Sequence, residues 1–349
     1  MSLSGKIVLK ILETGLMPER ISRCWISYLC RLACERASLG DIEARHSVFR
    51  QIVKDLKVGI KLRHKDLGNE QPAEMESDFF EMFLGKRLST TCGYFPTGAE
   101  DLEEAEDTML WMSSDRARIR DGMKILELGC GWGAMSFWLA RQYPEAQITS
   151  VSDSVGQGIY LQKKAHELGL ENIKIITAEF GDLDFKNKFD RIISLERFDL
   201  FAGDSEWQQK VHSWLESDGK FFLQAPVHSD FSFYLDSVGF DDLPGNYVSK
   251  NRVTLGADMP LLFQKFFHVE DFWKISGENY RATAERWLKR FYFNRLAILP
   301  CFEKAYGKRN AWTWFQRWRL HLIALCEQYG FNRGQSWIVG QYLYSRKEL

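Results

Sequence analysis

Several short segments of the 349-residue chain carry side chains whose types and spacing can do chemistry. The foremost is Glu127-Leu128-Gly129-Cys130-Gly131-Trp132-Gly133. Glycine at every second position permits a tight turn at which a ligand can approach the backbone closely. The spacing departs from the Gly-x-Gly-x-x-Gly of a pyrophosphate-binding turn, and Glu127, two residues before the first glycine, would repel a pyrophosphate. It suits instead a ligand with a cationic amino acid head. S-adenosylmethionine carries both an ammonium and a sulfonium, so the turn reads as its binding loop and the chemistry as methyl transfer. The plain alternative is a glycine turn with no ligand.

Three further segments would complete such a site. In Val151-Ser152-Asp153-Ser154 the carboxylate of Asp153 and the hydroxyl of Ser152 can hold a ribose diol; Ser154 reads equally well as the N-cap of the next helix. In Thr177-Ala178-Glu179-Phe180 an acid can meet an adenine amino group and a ring can stack beside it, the alternative being a solvated loop acid. Ser194-Leu195-Glu196-Arg197-Phe198-Asp199 sets two carboxylates, Glu196 and Asp199, where a methyl donor would point. His228, farther on, is a candidate acid or base, although a lone histidine is more often a structural hydrogen-bonding residue.

The elements that must position these residues follow from periodicity. Short apolar runs at Ile125–Leu128, Ile148–Val151, Ile173–Ile176, Ile192–Leu195 and Phe221–Leu223 alternate with helical patterns at Ser136–Gln142, Gly156–Leu168 and Glu206–Glu216. Strands alternating with helices imply parallel β-α-β units and an open, doubly wound α/β sheet, with the chemistry-bearing segments at its carboxyl edge. Residues 7–58 repeat apolar side chains at three and four spacing, broken at Pro18, and read as helices. Between Val227 and about Arg333 the strand alternation is lost and aromatic helical patterns take over, after which Trp337–Tyr344 resumes a strand. The expected division is a helical cap region at 1–95, a Rossmann-like core at 96–226, a helical, aromatic-rich cap at 227–333 and a last strand of the core at 334–349. Both cap segments are expected to cover the carboxyl edge.

Composition removes other classes. Lys+Arg 46 against Asp+Glu 47 gives a net charge of -1, so no global basic field draws the chain to nucleic acid or anionic lipid. The basic, aromatic stretch Arg317-Trp318-Arg319 then reads as a solvated helix face. Seven cysteines without a Cys-x-x-Cys pair argue for reduced thiols in a cytoplasmic protein and against a disulfide frame or a metal site. No segment is apolar enough to span a membrane.

From about Glu76 onward the chain resembles the plant coclaurine N-methyltransferase family, relatives of the cyclopropane fatty acid synthases. The resemblance is carried by Phe83-Leu84-Gly85-Lys86, Cys92-Gly93-Tyr94-Phe95, the glycine turn, Val151–Ser154 with Gln157, Phe189–Ser194, Tyr280–Lys289 and Trp337–Tyr344. It implies a class I S-adenosylmethionine-dependent methyltransferase fold with a helical cap. The activity it implies is N-methylation of benzylisoquinoline or phenylalkylamine substrates, with S-adenosylmethionine as cofactor and S-adenosylhomocysteine as product. Cofactor contacts would come from Tyr94, Glu127, Gly129, Gly131, Gly133, Ser152, Asp153, Gln157, Glu179 and Phe180. Aromatic substrate contacts would come from Phe198, Phe201, Phe263, Phe267, Tyr280 and Trp287, most other cap rings being core. Where the family has Glu-x-x-Glu-His, this chain reads Glu196-Arg197-Phe198-Asp199-Leu200, so the second acid is shortened and the histidine is gone. Where cyclopropanating relatives have a bicarbonate-holding His this chain has Gln224, and their His-Tyr pair reads Asn279-Tyr280; both departures argue against cyclopropanation. Lipid methylene transfer and a silent cofactor-binding scaffold remain as alternatives, and a homodimer is left open.

Methyl transfer to nitrogen requires a neutral amine. An alkylamine with a pKa like that of lysine, ~10.4, is mostly protonated at neutral pH, and selecting its neutral form costs roughly 4 to 5 kcal/mol. Carboxylates at Glu196 and Asp199 can attract and orient the ammonium. Glu196 is a poor direct base unless desolvation raises its pKa, with His228 as the other candidate, so catalysis is expected to lie mainly in alignment.

Overall fold

The structure, a computed structural model, describes residues 10–57, 75–197, 205–235, 253–258, 261 and 264–348. In chain order its main elements are α1 (Glu19–Ala37), α2 (Ile42–Lys57), α3 (Ser77–Glu81), α4 (Leu102–Arg116), β1 (Lys124–Leu128), α5 (Ala134–Gln142), β2 (Gln147–Ser152), α6 (Val155–Glu167), β3 (Ile173–Thr177) and β4 (Phe189–Leu195). There follow α7 (Ser205–Trp214), β5 (Leu215–His228), β6 (Phe233–Tyr234), β7 (Val253–Thr254), β8 (Phe267–Ile275), α8 (Gly277–Phe293), α9 (Arg295–Tyr306), α10 (Lys308–Gly330) and β9 (Trp337–Arg346). The chain divides into two compact units. One comprises residues 84–226, 258–275 and 339–349, the other residues 1–83, 227–257 and 276–338.

The first unit is a seven-stranded sheet in the order β3-β2-β1-β4-β5-β9-β8. Strands β1 to β5 pair in parallel, joined by crossovers of which three carry the helices α5, α6 and α7, and the central strands are buried on both faces. Continuous runs such as Ile125-Leu126 and Ile192-Ile193 meet that demand and are wholly buried. Leu110, Met135, Leu139, Ile148, Phe222 and Leu343 join Ile125 and Ile193 in one apolar cluster. At burial worth roughly 1.5–3 kcal/mol per large side chain, this layer dominates the stability of the unit. Helix α4 starts at a reciprocal cap. Asp101 accepts from the Glu104 N–H at 2.8 Å and Glu104 accepts from the Asp101 N–H at 3.0 Å, which satisfies two N–H groups that helix geometry leaves without partners.

One expectation is corrected here. Residues 267–275, inside the stretch read as helical, form β8, which pairs antiparallel with β9. The alternation that would mark a strand is broken by a register shift between Val269 and Asp271, a bulge that puts two residues opposite one and scrambles the period. Phe272 stacks on Tyr342 at 4.7 Å between centroids, so its ring belongs to the sheet.

The second unit is helical, with a small β6–β7 ladder. Pro18 stands at the N-cap of α1, a position that its missing N–H and fixed φ permit. Arg23 of α1 ties three helices, its guanidinium lying 2.7 Å from Glu19, 2.7 Å from Glu285 of α8 and 2.9 Å from Glu327 of α10. Beneath, Phe79 makes edge contacts with Phe83, Phe302 and Trp318, while Phe291 stacks on Phe315. Such pairs add about 0.5–1.5 kcal/mol each to the area they bury.

Candidate functional site

Three glycines give the turn after β1 its shape. Gly129, Gly131 and Gly133 have φ of 82°, 54° and 85°, values at which any side chain carries a strain of about 1–2 kcal/mol. The turn is tied back to β2, because the N–H groups of Gly129 and Cys130 both donate to the Val151 carbonyl at 3.0 Å. A Cβ on Gly133 would meet Leu161 at 2.5 Å, whereas one on Gly131 would project into open space. Gly131 is therefore the point at which a ligand can lie against bare backbone, just ahead of the N-terminus of α5, where N–H groups favour an anion such as a carboxylate.

Glu127 sits beneath this turn, 2% exposed. Its carboxylate accepts from the Ser136 hydroxyl and, at 3.4 Å, from that of Ser150. Burial pushes its pKa up to about 7, against the lowering effect of the two serines. A carboxylate held at that value is half neutral near pH 7 and is restored to its charged form by an adjacent cation.

The end of β2 separates its three candidates. The Ser152 hydroxyl donates to Gln157 Oε1 at 2.7 Å and accepts from the Ser154 N–H at 3.1 Å, while Ser154 caps α6 by accepting from the Gln157 N–H. Ser152 and Gln157 thus close the loop. Asp153 is exposed beside them, and the Arg197 guanidinium lies 3.0 Å from its carboxylate. The same guanidinium stands 5.0 Å from the Phe180 ring centroid, and its side chain runs where a Cβ on Gly129 would be, 2.6 Å away. Arg197 consequently brings together the glycine turn, Asp153 and Phe180. Glu179 is exposed at the start of a short 3-10 turn over Phe180–Asp182. Tyr94 is half-buried, its N–H bonded to the Ala105 carbonyl of α4 at 2.9 Å.

Glu196 leaves the end of β4 with φ of 59°, a left-handed backbone that costs a non-glycine residue about 1–3 kcal/mol. The surrounding structure holds it there. Its N–H donates to the Gln224 carbonyl at 2.7 Å, and its Oε1 accepts from the Cys92 N–H and from Gln224 Nε2, each at 3.4 Å. That backbone sets the carboxylate at the carboxyl edge of the parallel sheet, the edge at which open α/β folds bind ligands.

The remaining candidates are placed elsewhere. Phe267 is sealed in the sheet unit against Phe221 and Tyr344 and has no surface to offer a substrate. In the helical unit Tyr280 stacks on Tyr329 at 4.1 Å and meets Trp287 edge-on, both rings buried. His228 is also buried there. Its Nδ1 accepts from the N–H groups of Asp230 and Phe231 at 3.1 Å, and its Nε2 lies 3.7 Å from Cys34 Sγ. Desolvation lowers its pKa to about 4 and raises that of the Cys34 thiol to about 11. Both His228 nitrogens are thus engaged inside the helical unit, and the low pKa makes the imidazole a weak base. Asp199, Phe198, Phe201 and Phe263 lie outside the described residues. Gln341, a buried amide inside the apolar run of β9, accepts from Arg116 at the end of α4; neither stands among the expected site residues.

A sequence profile described as mycolic acid cyclopropane synthetase matches residues 64–315, more than two thirds of the chain. The chain belongs to that family. Within the cyclopropane synthetase family it is similar over nearly its full length to amine methyltransferases. The (S)-coclaurine N-methyltransferase of Thalictrum flavum subsp. glaucum is 27% identical over 348 residues, covering 97% of this chain and 95% of its own length. That of Papaver somniferum is 28% identical over 352 residues, covering 97% and 98%. A crystal structure of coclaurine N-methyltransferase bound to N-methylheliamine and SAH matches with a TM-score of 0.87 at 26% identity, covering 97% of each chain. The fold is that of a class I methyltransferase. Among the described residues no helix is long and apolar enough to cross a membrane.

Proposed function

We propose that this member of the cyclopropane synthetase family is an S-adenosylmethionine-dependent N-methyltransferase of small aromatic alkylamines, of phenylalkylamine or benzylisoquinoline type. The observation that carries the reading is the full-length likeness to an enzyme whose crystal structure holds an N-methylated amine and SAH. Gln224, in place of the histidine that the resemblance assigns to cyclopropanating relatives, favours nitrogen over lipid as the methyl acceptor. Seven cysteines, all free thiols, suit a cytoplasmic location.

The residues fit the cofactor. Bare backbone at Gly131, open where a Cβ would stand, admits the amino acid end, and the buried carboxylate of Glu127 beneath it complements an ammonium. Asp153 is the exposed acid for a ribose diol, with Glu179 and Phe180 beside it for an adenine. Tyr94 is the ring for the sulfonium, by a cation–π contact. When bound, S-adenosylmethionine supplies an electrophilic methyl group.

The protein's own part is to bind and orient the amine. The carboxylate of Glu196, joined in this reading by Asp199, attracts the substrate ammonium and turns the nitrogen toward the methyl. The proton leaves to water or to Glu196 as the neighbouring sulfonium lowers the amine pKa. Orientation can supply several kcal/mol of the barrier without any strong base. The test is turnover of an amine panel by wild type and Glu196→Gln. We expect kcat/KM to fall at least tenfold in the variant, the loss of one charge-assisted hydrogen bond. Equal turnover would remove Glu196 from the reaction.

A further inference from the structure

Glu196 terminates a hydrogen-bonded series that begins at a guanidinium on another element of the same unit. Arg116, the last residue of α4, donates from Nη1 to Gln341 Oε1 at 2.6 Å. Gln341 Nε2 donates to Gln224 Oε1 at 2.7 Å and to Ser113 Oγ at 3.1 Å. Gln224 Nε2 then faces Glu196 Oε1 at 3.4 Å. Both glutamines are wholly buried, in β9 and β5, where an apolar side chain would ordinarily stand.

The chemistry of the two ends dictates how every amide points. Arginine can only donate, so Gln341 must present its oxygen to Arg116 and its NH2 to Gln224. Gln224 must then accept with its oxygen, which leaves its NH2 for Glu196. An ionised carboxylate can only accept, so the series closes without a mismatch when Glu196 is charged. A protonated Glu196 could meet Gln224 only through its carbonyl oxygen, a weaker acceptor than a carboxylate. Each link polarises the next in a low-dielectric interior, and Arg116 is itself steadied over the Trp273 ring at 5.0 Å.

The geometry points to Arg116, Gln341 and Gln224 as positioning residues that hold Glu196 ionised and in one orientation for the amine. This deepens the methyltransferase reading and rests on it. Two other ionisable groups among the described residues stand near Glu196 in this unit. The Cys92 thiol, on the segment before α4, is driven far up by burial and then by the charge of Glu196, so it stays neutral. Arg197, the next residue, is engaged by Asp153.

The experiment compares wild type, Gln341→Leu, Arg116→Met, Arg116→Lys and Glu196→Gln. Two quantities are measured across pH: steady-state methylation of one amine, and equilibrium binding of that amine to the S-adenosylhomocysteine-loaded protein. We expect Gln341→Leu and Arg116→Met to weaken amine binding and lower kcat/KM by about tenfold. Their acidic limb should move up by about one pH unit, with S-adenosylhomocysteine affinity unchanged. Arg116→Lys, which keeps a donor and a charge, should recover most of the loss. Should Gln341→Leu not fold, the two Arg116 variants carry the same test from the half-exposed end of the series. Wild-type limbs in these variants, alongside a limb abolished by Glu196→Gln, would overturn the relay and leave the function standing. Amine binding by Glu196→Gln with the same affinity and the same acidic limb as wild type would remove Glu196 from the site and overturn the relay with it.

Discussion

Replacing Glu127 by glutamine tests the cofactor cradle through a number the structure supplies. Burial holds this carboxyl at about 7 instead of 4.5. A ligand ammonium selects the ionised form, whose population falls from about nine tenths at about pH 8 to about one tenth at about pH 6. Affinity for S-adenosylhomocysteine in wild type should therefore drop about tenfold between those two values beyond any change due to the ligand's own amine. In Glu127→Gln that extra dependence vanishes, and affinity at about pH 8 falls by roughly ten- to a hundredfold, the range for a lost charge-assisted hydrogen bond. Stability moves the other way. A carboxyl raised from 4.5 to about 7 destabilises the free protein progressively as pH rises through that window, by (7 − 4.5) × 1.36, or about 3 kcal/mol. Free Glu127→Gln should thus melt higher than wild type at about pH 8 by part of that amount, since the Ser136 and Ser150 bonds change, and show no gain at about pH 4.5. Isothermal titration and thermal melts at the two pH values read both effects. Equal pH dependence of binding in the two proteins, or unchanged affinity at about pH 8, would refute the assignment of Glu127 to the ligand's cation.

Other outcomes follow from single positions. Gly131→Ala, at φ 54° with open space for the new methyl, should lose only about 1 kcal/mol of stability yet bind cofactor at least tenfold more weakly. Gly133→Ala, where the methyl meets Leu161 at 2.5 Å, should cost about 2 kcal/mol or more of stability and so lower the melting temperature. Equal behaviour of the two would contradict the cradle. Arg197→Ala releases Asp153 for the ribose, so S-adenosylhomocysteine should bind severalfold tighter; weaker binding would show the guanidinium to be a ligand contact. His228, lowered from 6.5 to about 4, lends stability that is present above pH 6.5 and lost as pH falls toward 4, about 3 kcal/mol in all. His228→Asn should flatten the acid limb of a melting-temperature profile, and an unaltered limb would place the titrating group elsewhere.

The strands, the glycine turn and the carboxylate at the end of β4 were legible because each is a local pattern. Apolar runs of parallel strands are continuous, and alternate glycines answer to backbone angles only they adopt freely. Strand β8 was not legible, since a bulge breaks its alternation and its rings, Phe267, Phe272 and Trp273, do not recur at every second position. Ser152 reads in sequence as a ribose contact; the structure adds that its hydroxyl bonds Gln157 and the Ser154 N–H, a local pairing that the sequence leaves open. The series from Arg116 to Glu196 joins residues up to 225 positions apart. Spacing carries no trace of it; the only hint is an amide in each of two apolar strands.

The measurement that bears most directly on the account is transfer of labelled methyl from S-adenosylmethionine to phenylalkylamines, tetrahydroisoquinolines and unsaturated phospholipid, with the products identified. Label is expected on amine nitrogen and none on lipid. Label in the lipid with the amines untouched would contradict it, as would the absence of any transfer from a protein that binds the cofactor tightly.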